Sequence, residues 1–509
     1  MNSYNAYSDL VESRLKDYKD RIAYIDDEGK YTYHELDNRI SNFANNILNE
    51  GFEIEDKIIL CLLDTIDFPV AFLGCIKAGV IPIPVNTLLT EENYKFILNN
   101  SRAKGLICSN ELYSKLSNLI SNSSFIKKTY LSGGADKINS FNKLLIDAKD
   151  CLPKGLHNKD DECFWLYSSG STGNPKGTVH VHKSLVVTNE LYAKNVLNIK
   201  SNDIIYSAAK LFFAYGLGNA LTFPLCAGAT TVLSKARPTP DLVFSIFEKH
   251  EPTLFFGVPT LYSAMLNSEK IPSQISPRLC ISAGEALPID IGMQWEKKFN
   301  IKILDGIGST EMLHIFLSNS ENSLKYGTTG KPVTGYEVTL LDENNYPVKP
   351  GEIGELRVKG PSSALKYWRN IEKTKKTFIG EYTVSGDKYY LDDDGFYVYA
   401  GRADDMLKVS GQYVSPFEVE SALISHNDVI EAAVVGRKDD AGLVKPHACI
   451  VLVPGVDNNE EKKSELKDYV KNKIAPFKYP RWIEFVNELP KTATGKIQRF
   501  KLRENFRNG

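Results

Sequence analysis

Two hydrophobic periodicities alternate along the chain. Between Thr32 and Val85 the order is helix, strand, helix, strand. The segment "TYHELDNRISNFANNILNEG" repeats its apolar residues at helical spacing, opens at a threonine cap with Glu35 three residues on, and stops at a glycine. "KIILCLL" and "VIPIPVN" are short continuous apolar runs, read as strands flanking the helix "DFPVAFLGCIKAG", and "RAKGLICS" is a further strand. Such alternation predicts an α/β architecture.

The middle of the chain repeats the theme. "ECFWLYSS", "ATTVLSK", "PTLFFGVP", "LCISAG" and "IKILDGIGS" read as strands, with "TPDLVFSIFEKH" a helix among them. The strands "LCISAG" and "IKILDGIGS" end in glycine-rich turns. Open α/β sheets bind ligands at strand ends of that kind, so residues 168–177, 282–285 and 305–311 are candidates for one shared cleft.

After residue 340 the elements become shorter and richer in turns, as in "PGEIGELRVKG" and "KYYLDDDGFYVYAG". A polar, charged tract from about Arg402 to Gly411 precedes "PFEVESALISHNDVIEAAVVGRKDD", "HACIVLVPG", "SELKDYVKNKIAP" and "RWIEFVNELP", a helix-and-strand unit of about 100 residues. The expected organisation is a large N-terminal domain of stacked α/β subdomains over residues 1–402, and a small α+β C-terminal domain over residues 403–509.

Composition narrows the class. A chain of 509 residues exceeds one hydrophobic core, and 42% hydrophobic with 24% charged residues is ordinary for a soluble protein. The net charge of −2, with signs interspersed, gives no footprint for nucleic acid or anionic lipid. The eight cysteines contain no C-x-x-C pair and lie mostly in apolar runs, which reads as buried small hydrophobes in a reducing cytosol. No secretory signal is expected at the amino terminus, and the apolar stretch from Ile58 to Val85 is broken by Asp64, Asp67, Lys77 and prolines, so no membrane span is expected.

Candidate chemistry gathers in four clusters. "YSSGSTGNPKGTVH" packs Ser168, Ser169, Ser171 and Thr172 with Gly170, Gly173 and Gly177 around the cation Lys176. Glycines admit close approach of amides to an anion, hydroxyls donate rotatable hydrogen bonds, and lysine adds a point charge. The stretch fails the G-x-x-x-x-G-K-[ST] pattern, because Lys176 follows Pro175. A bland surface turn is the alternative.

"DGIGSTEMLHIF" puts Thr310 and Glu311 just after a glycine turn; Glu311 is either a magnesium ligand or a helix N-terminal acid. "SGDKYYLDDDGFYVYAGRADDMLKVSG" offers Asp387 and Arg402 to ribose hydroxyls or phosphate, with the acidic run 392–394 read as a hairpin turn. "LPKTATGKIQR" places Lys496 after a Thr-Gly turn, where a solvated charge is the alternative. In "KLFFAYGLGNALTF", residues 212–216 form either a flat apolar slot or plain core.

In this order and at these separations, the four clusters resemble the adenylate-forming enzymes: acyl-CoA and aryl-CoA synthetases, adenylation domains of peptide synthetases, and luciferases. The resemblance covers essentially the whole chain. "AAKLFFAYGLGNALTFPL", "SAGEALP", "YGTTGKPVTGYE" and "DDMLKVSGQYVSPFEVE" are similar to the benzoate-CoA ligase branch, including Phe213 where general acyl-CoA synthetases carry a histidine.

The resemblance implies a two-step ligase using ATP, Mg2+ and coenzyme A, with a small mobile C-terminal domain. A carboxylate attacks the α-phosphorus of ATP, and the coenzyme A thiol then displaces AMP. Residues 168–177 would wrap the β- and γ-phosphates. Gly284, Glu285, Ala286, Asp305, Gly306 and Ile307 would hold adenine, Thr310 the α-phosphate, Glu311 magnesium, and Asp387 with Arg402 the ribose. Lys496 would bridge carboxylate and α-phosphate, offsetting the repulsion of two anions. Asp404 is the implied hinge, and the segment from Lys408 to Gly411 would line the pantetheine tunnel after rotation.

Phe213, Ala214, Tyr215, Gly216, Gly308, His314 and Ile315 would form the acid pocket, suited to a small planar aromatic carboxylate. His314 is open to two readings, tolerance of a polar ring substituent or orientation of a neighbour. The implied setting is cytoplasmic, with no nucleic acid or membrane partner and with a homodimer as one arrangement. Rival readings are a ligase for hydroxybenzoate, aminobenzoate or a short aliphatic acid, an aryl-adenylating enzyme loading a carrier protein, and a non-enzymatic binding protein. The last would be expected to have lost Lys496 or Glu311.

Overall fold

The computed structural model describes residues 4–134, 139–149, 152, 158–170, 173–403, 405–409, 412–439, 442–491 and 497–505. Its largest sheet has nine strands. Ile22–Ile25, Thr230–Val232, Ile204–Ser207, Leu254–Gly257, Leu279–Ser282 and Ile303–Gly308 lie side by side and parallel in that order. Lys30–Thr32 closes one edge antiparallel, and Ile315–Ser318 followed by Lys331–Pro332 closes the other.

The central strands read as unbroken apolar runs because both faces are covered. Leu254, Phe256, Leu279 and Ile281 pack into one core, while Phe255 and Cys280 pack into another. A second sheet of four parallel strands, Ile81–Pro84, Lys57–Cys61, Gly105–Ser109 and Lys128–Ser132, divides its side chains in the same way. The helix Asp67–Ala78 beside it is buried almost all round, so the apolar stretch that contains it is protein core. Among the described residues no helix is long and apolar enough to cross a membrane.

Local signals hold up well. Thr32 and Glu35 form the expected reciprocal capping box at the start of Tyr33–Asn49, and Gly51 follows its end with φ 86°. All seven described cysteines are free; six are buried and Cys226 is half-buried. Cys151 lies outside the described residues.

Two expectations need correction. "ECFWLYSS" is the strand expected, but the residues from Gly173 onward continue as a second strand rather than a loop. The first strand, Glu162–Gly170, pairs antiparallel with Gly173–Val181, and the latter pairs with Lys366–Tyr367. The candidate loop is therefore largely a β-hairpin, with Ser168 opposite Lys176 and Gly170 opposite Gly173. Likewise Asp305, Gly306 and Ile307 are not a turn. They belong to Ile303–Gly308, which pairs with Leu279–Ser282 through Asp305 and then antiparallel with Ile315–Ser318 from Gly306 onward.

An antiparallel sheet follows, built from Glu337–Leu341, Gly354–Lys359, Tyr382–Leu391 and Phe378–Ile379, with Tyr397–Arg402 on Tyr382–Leu391. The C-terminal part carries Val429–Lys438, Val444–Leu452 and Trp482–Phe485, packed on helices Pro416–Ile424 and Glu460–Lys473 around Val419, Leu423, Val434, Ile450 and Leu466.

Candidate active site

The hairpin, the strand Lys366–Tyr367 and the turn after Ile303–Gly308 meet at one place. Three successive carbonyls of that turn are held from outside. The Thr310 oxygen faces His180 Nε2 at 2.7 Å, the Glu311 oxygen accepts from the Ala364 amide at 2.8 Å, and the Met312 oxygen accepts from the Ser362 hydroxyl at 2.8 Å. Leu313 takes φ 65° to close the turn, a left-handed conformation rare for a branched apolar residue. His180 of the hairpin, with Ser362 and Ala364 from the segment leading into Lys366–Tyr367, thus holds the backbone from Thr310 to Met312.

Lys176 projects into this junction. Its Nζ lies 3.8 Å from Glu311 Oε1, 3.5 Å from the Tyr367 hydroxyl and 4.8 Å from the centre of the Tyr367 ring. The two charged side chains are only 18% and 15% exposed. Burial pulls the Lys176 ammonium below its ordinary range, and Glu311 opposes that shift. The Ser168 hydroxyl is buried and has no hydrogen-bond partner among the described residues. An unsatisfied donor beside a partly desolvated cation suits an anionic ligand.

His180 was not singled out from the sequence, although it ends the quoted stretch. Its ring is fully buried and stacks on Phe164 at 5.1 Å. Burial lowers its pKa to about 4, so the ring is neutral at pH 7, with Nε2–H donating to Thr310. A buried neutral histidine contributes stability in full above pH 6.5, the unfolded value, and loses it as pH falls toward 4. His180→Gln keeps a donor and removes that titration. The expected result is a loss of stability between pH 7 and pH 5 that is smaller than in the parent protein by about 2 kcal/mol, read from urea unfolding at the two pH values; identical losses would contradict the assignment.

The adenine candidates lie just after the strand Leu279–Ser282 and within the neighbouring strand Ile303–Gly308. Ser282 pairs with Asp305, and Gly284 takes φ 96°, open to glycine without strain. Asp305 is buried and its carboxyl is pushed well above the usual carboxylate range by that burial, against the amides of Leu287 and Gly306. Asp305 Oδ1 has no hydrogen-bond partner among the described residues. Ala286 is half-buried beside Glu285, and Glu285 Oε1 accepts from the Ile497 amide at 3.1 Å. That bond joins the C-terminal segment to the turn after Leu279–Ser282 across 212 residues.

Asp387 and Arg402 face each other on adjacent strands. Arg402 Nη1 donates to Asp387 Oδ1 at 3.1 Å and to the Ser385 carbonyl at 3.0 Å. The acidic run is the expected turn: Asp392 accepts from the Asp394 and Phe396 amides, and Lys325 bridges Asp392 and Asp394.

The residues read as either an apolar slot or plain core lie on the other side of the same turn and are largely buried. Phe213 precedes the short helix Ala214–Leu217, and Gly216 presses on the chain so closely that a β-carbon would lie 2.0 Å from the Lys210 oxygen. The Tyr215 hydroxyl donates to the carbonyls of Ile281 and Gly257 at 3.3 and 3.4 Å. His314 is buried among Phe223, Tyr215 and Tyr192, with ring centres 4.4, 5.6 and 5.6 Å away. Its Nε2 faces Asn219 Oδ1 at 3.1 Å, and burial lowers its pKa to about 3. Gly308 packs against the His314 carbonyl, and Ile315 is buried beside it.

Asn219 and Gly218, which a β-carbon would drive into the His314 ring, were missed in the sequence; the spacing "YGLGN" was the available signal. Ser169, Gly170 and Gly173 lie on the hairpin strands and Lys408 on Leu407–Val409. Ser171, Thr172, Asp404, Gly411 and Lys496 lie outside the described residues.

The AMP-binding enzyme family matches residues 11–368, and the AMP-binding enzyme C-terminal domain matches residues 418–496. The chain is 53% identical over 505 residues to the benzoate–CoA ligase of Thauera aromatica, covering 98% of this chain and 96% of that one. Among solved structures it is similar to a benzoate CoA ligase from Burkholderia xenovorans LB400, with TM-score 0.92 and 49% identity over 98% of this chain and 100% of that one. It is also similar to the anthranilate CoA ligase AuaEII in complex with anthranoyl-AMP, with TM-score 0.94 and 38% identity over 99% and 98% of the two chains. The chain belongs to the AMP-binding enzyme family and has the adenylate-forming fold, a large N-terminal domain with a smaller C-terminal one.

Proposed function

We propose that the protein is an AMP-forming benzoate–CoA ligase, converting benzoate, ATP and coenzyme A to benzoyl-CoA, AMP and pyrophosphate through benzoyl-adenylate. One observation carries the reading. A single turn presents Glu311 toward Lys176 and, three residues on, His314 toward Tyr215 and Phe223. We place the planar acid on the His314 side of that turn, so that its carboxylate comes next to the phosphates assigned to the Lys176 side. The 53% identity to the Thauera aromatica ligase supports benzoate as that acid.

In the first step a carboxylate oxygen of benzoate forms a bond to the α-phosphorus, and the bond from that phosphorus to the β-phosphate bridging oxygen breaks. No strong general base is needed, since the carboxylate is ionised at neutral pH. We assign the hairpin, with Ser168, Ser169, Gly170, Ser171, Thr172, Gly173 and Lys176, to the departing pyrophosphate, and Thr310 to the α-phosphate. Gly284, Glu285, Ala286, Asp305, Gly306 and Ile307 are assigned to adenine, and Asp387 with Arg402 to ribose. In the second step the thiol sulfur bonds to the acyl carbon and AMP leaves.

Glu311 already faces a cation, the Lys176 ammonium, so its carboxylate suits Mg2+, which would neutralise phosphate charge. Lys496 is assigned to the meeting of carboxylate and α-phosphate, Asp404 to a hinge at the boundary near residue 403, and residues 408–411 to the pantetheine arm. A cytoplasmic setting, where ATP and coenzyme A are both supplied, follows from the substrates; a homodimer remains part of the reading.

The test is pyrophosphate release over benzoate, hydroxybenzoates, aminobenzoates and short aliphatic acids, with and without coenzyme A, the thioester being identified by mass. Benzoate is expected to give the highest kcat/KM and benzoyl-CoA. An inert benzoate beside rapid turnover of an aliphatic acid would overturn the proposal.

A further inference from the structure

Glu311 has a partner that its assignment to metal does not explain. The Tyr367 hydroxyl donates to Glu311 Oε1 at 2.6 Å, closer than the 3.8 Å between Lys176 Nζ and the same oxygen. Tyr367 is itself fixed. Its backbone pairs with Thr178 on the hairpin, its amide donates to the Thr374 hydroxyl at 3.0 Å, and its ring packs on Phe378 at 5.4 Å. The ring is 3% exposed, so its hydroxyl is a buried polar group for which the carboxylate is the acceptor. The same ring supports the Lys176 ammonium at 4.8 Å from its centre.

We propose that Tyr367 is the positioning residue for the metal-binding carboxylate: by donating to Glu311 Oε1 from a strand locked to the hairpin, it sets the orientation in which Glu311 meets a divalent cation held by ATP. This rests on the proposed role of Glu311. A carboxylate on a free rotor samples several orientations, and a short charge-assisted bond selects one. Because Tyr367, Lys176 and His180 belong to one three-stranded sheet, orientation of the carboxylate and placement of the pyrophosphate clamp are set together. Tyr367 touches neither reacting atom in this assignment; it acts through Glu311.

Tyr367→Phe removes one oxygen and leaves the ring packing. The full-length variant is compared with the parent for Mn2+ binding, by electron paramagnetic resonance in the presence of α,β-methylene-ATP, and for ATP–pyrophosphate exchange against Mg2+ concentration. Loss of an outer partner of a metal ligand typically costs 10–100-fold; a weakening of Mn2+ affinity by about tenfold is expected, with a matching rise in the Mg2+ concentration giving half-maximal exchange. Thioester formation from supplied acyl-adenylate should be unchanged, and in a Glu311→Gln background Tyr367→Phe should add little to the loss. Unaltered Mn2+ affinity, equal loss in both half-reactions, or full additivity with Glu311→Gln would each overturn the proposal. The Mn2+ measurement needs no acid substrate, so a wrong choice of benzoate would surface in the parent enzyme alone. A Glu311→Gln enzyme that binds Mn2+ as the parent does would instead reject the role of Glu311.

Discussion

Lys496→Ala is expected to lose adenylate formation by on the order of 10²–10³-fold or more while thioester formation from supplied benzoyl-adenylate is largely spared. The physical reason is the repulsion between a carboxylate and a triphosphate brought to bonding distance. A cation placed between them offsets that repulsion and stabilises the charge developing around the α-phosphorus. The residue after it is already anchored at the nucleotide side, through the Ile497 amide and Glu285 Oε1 at 3.1 Å. In the second step the acyl group is attacked by a thiol and no anion pair has to be bridged. ATP–pyrophosphate exchange reports the first step, and coenzyme A consumption with supplied adenylate reports the second. Equal loss in both would contradict a lysine that serves only one half-reaction.

Gly216→Ala should cripple use of the acid and leave ATP binding nearly intact. The added methyl would lie 2.0 Å from the Lys210 carbonyl oxygen and 2.5 Å from that of Ala209, both backbone atoms that cannot rotate away. The helix Ala214–Leu217 must then shift, and Phe213 and Tyr215 shift with it. A misplacement of about 1 Å near a reacting group can cost roughly 100-fold, and overpacking of this kind costs about 1–3 kcal/mol of stability. The measurement is kcat/KM for benzoate beside KM for ATP and an unfolding curve. A benzoate kcat/KM that stays at the parental value would show that this helix does not shape the acid slot.

What the sequence made legible was local or strictly periodic. The capping box at Thr32 needs only four consecutive residues, and the apolar runs "LFFG" and "LCIS" are strands because both sheet faces are covered. The hairpin was not legible as a hairpin. Glycines and hydroxyls at residues 168–173 read as a loop, while the strand that completes the sheet, Lys366–Tyr367, lies nearly 200 residues downstream. The strand character of "DGIG" was hidden in the same way, since Gly306 pairs with Ser318 only after the chain reverses.

Site residues divide along the same line. Lys176, Glu311, Asp387 and Arg402 stood out as charged groups among glycines, and the fold brings each beside a partner of opposite charge. His180, Asn219 and Tyr367 did not stand out, because their importance lies in hydrogen bonds to Thr310, His314 and Glu311 respectively, which tertiary packing alone creates. Buried supporting groups carry no composition or spacing signal of their own. That is where a sequence reading of this chain loses resolution.

The central claim is that ATP is cleaved at the α-phosphorus by the carboxylate itself. Running the reaction with benzoate labelled by oxygen-18 in both carboxylate oxygens, coenzyme A and ATP tests it directly. The account predicts AMP carrying one labelled oxygen, unlabelled pyrophosphate, and benzoyl-CoA retaining the other label. Label appearing in inorganic phosphate with release of ADP, or unlabelled AMP formed alongside benzoyl-CoA, would contradict it.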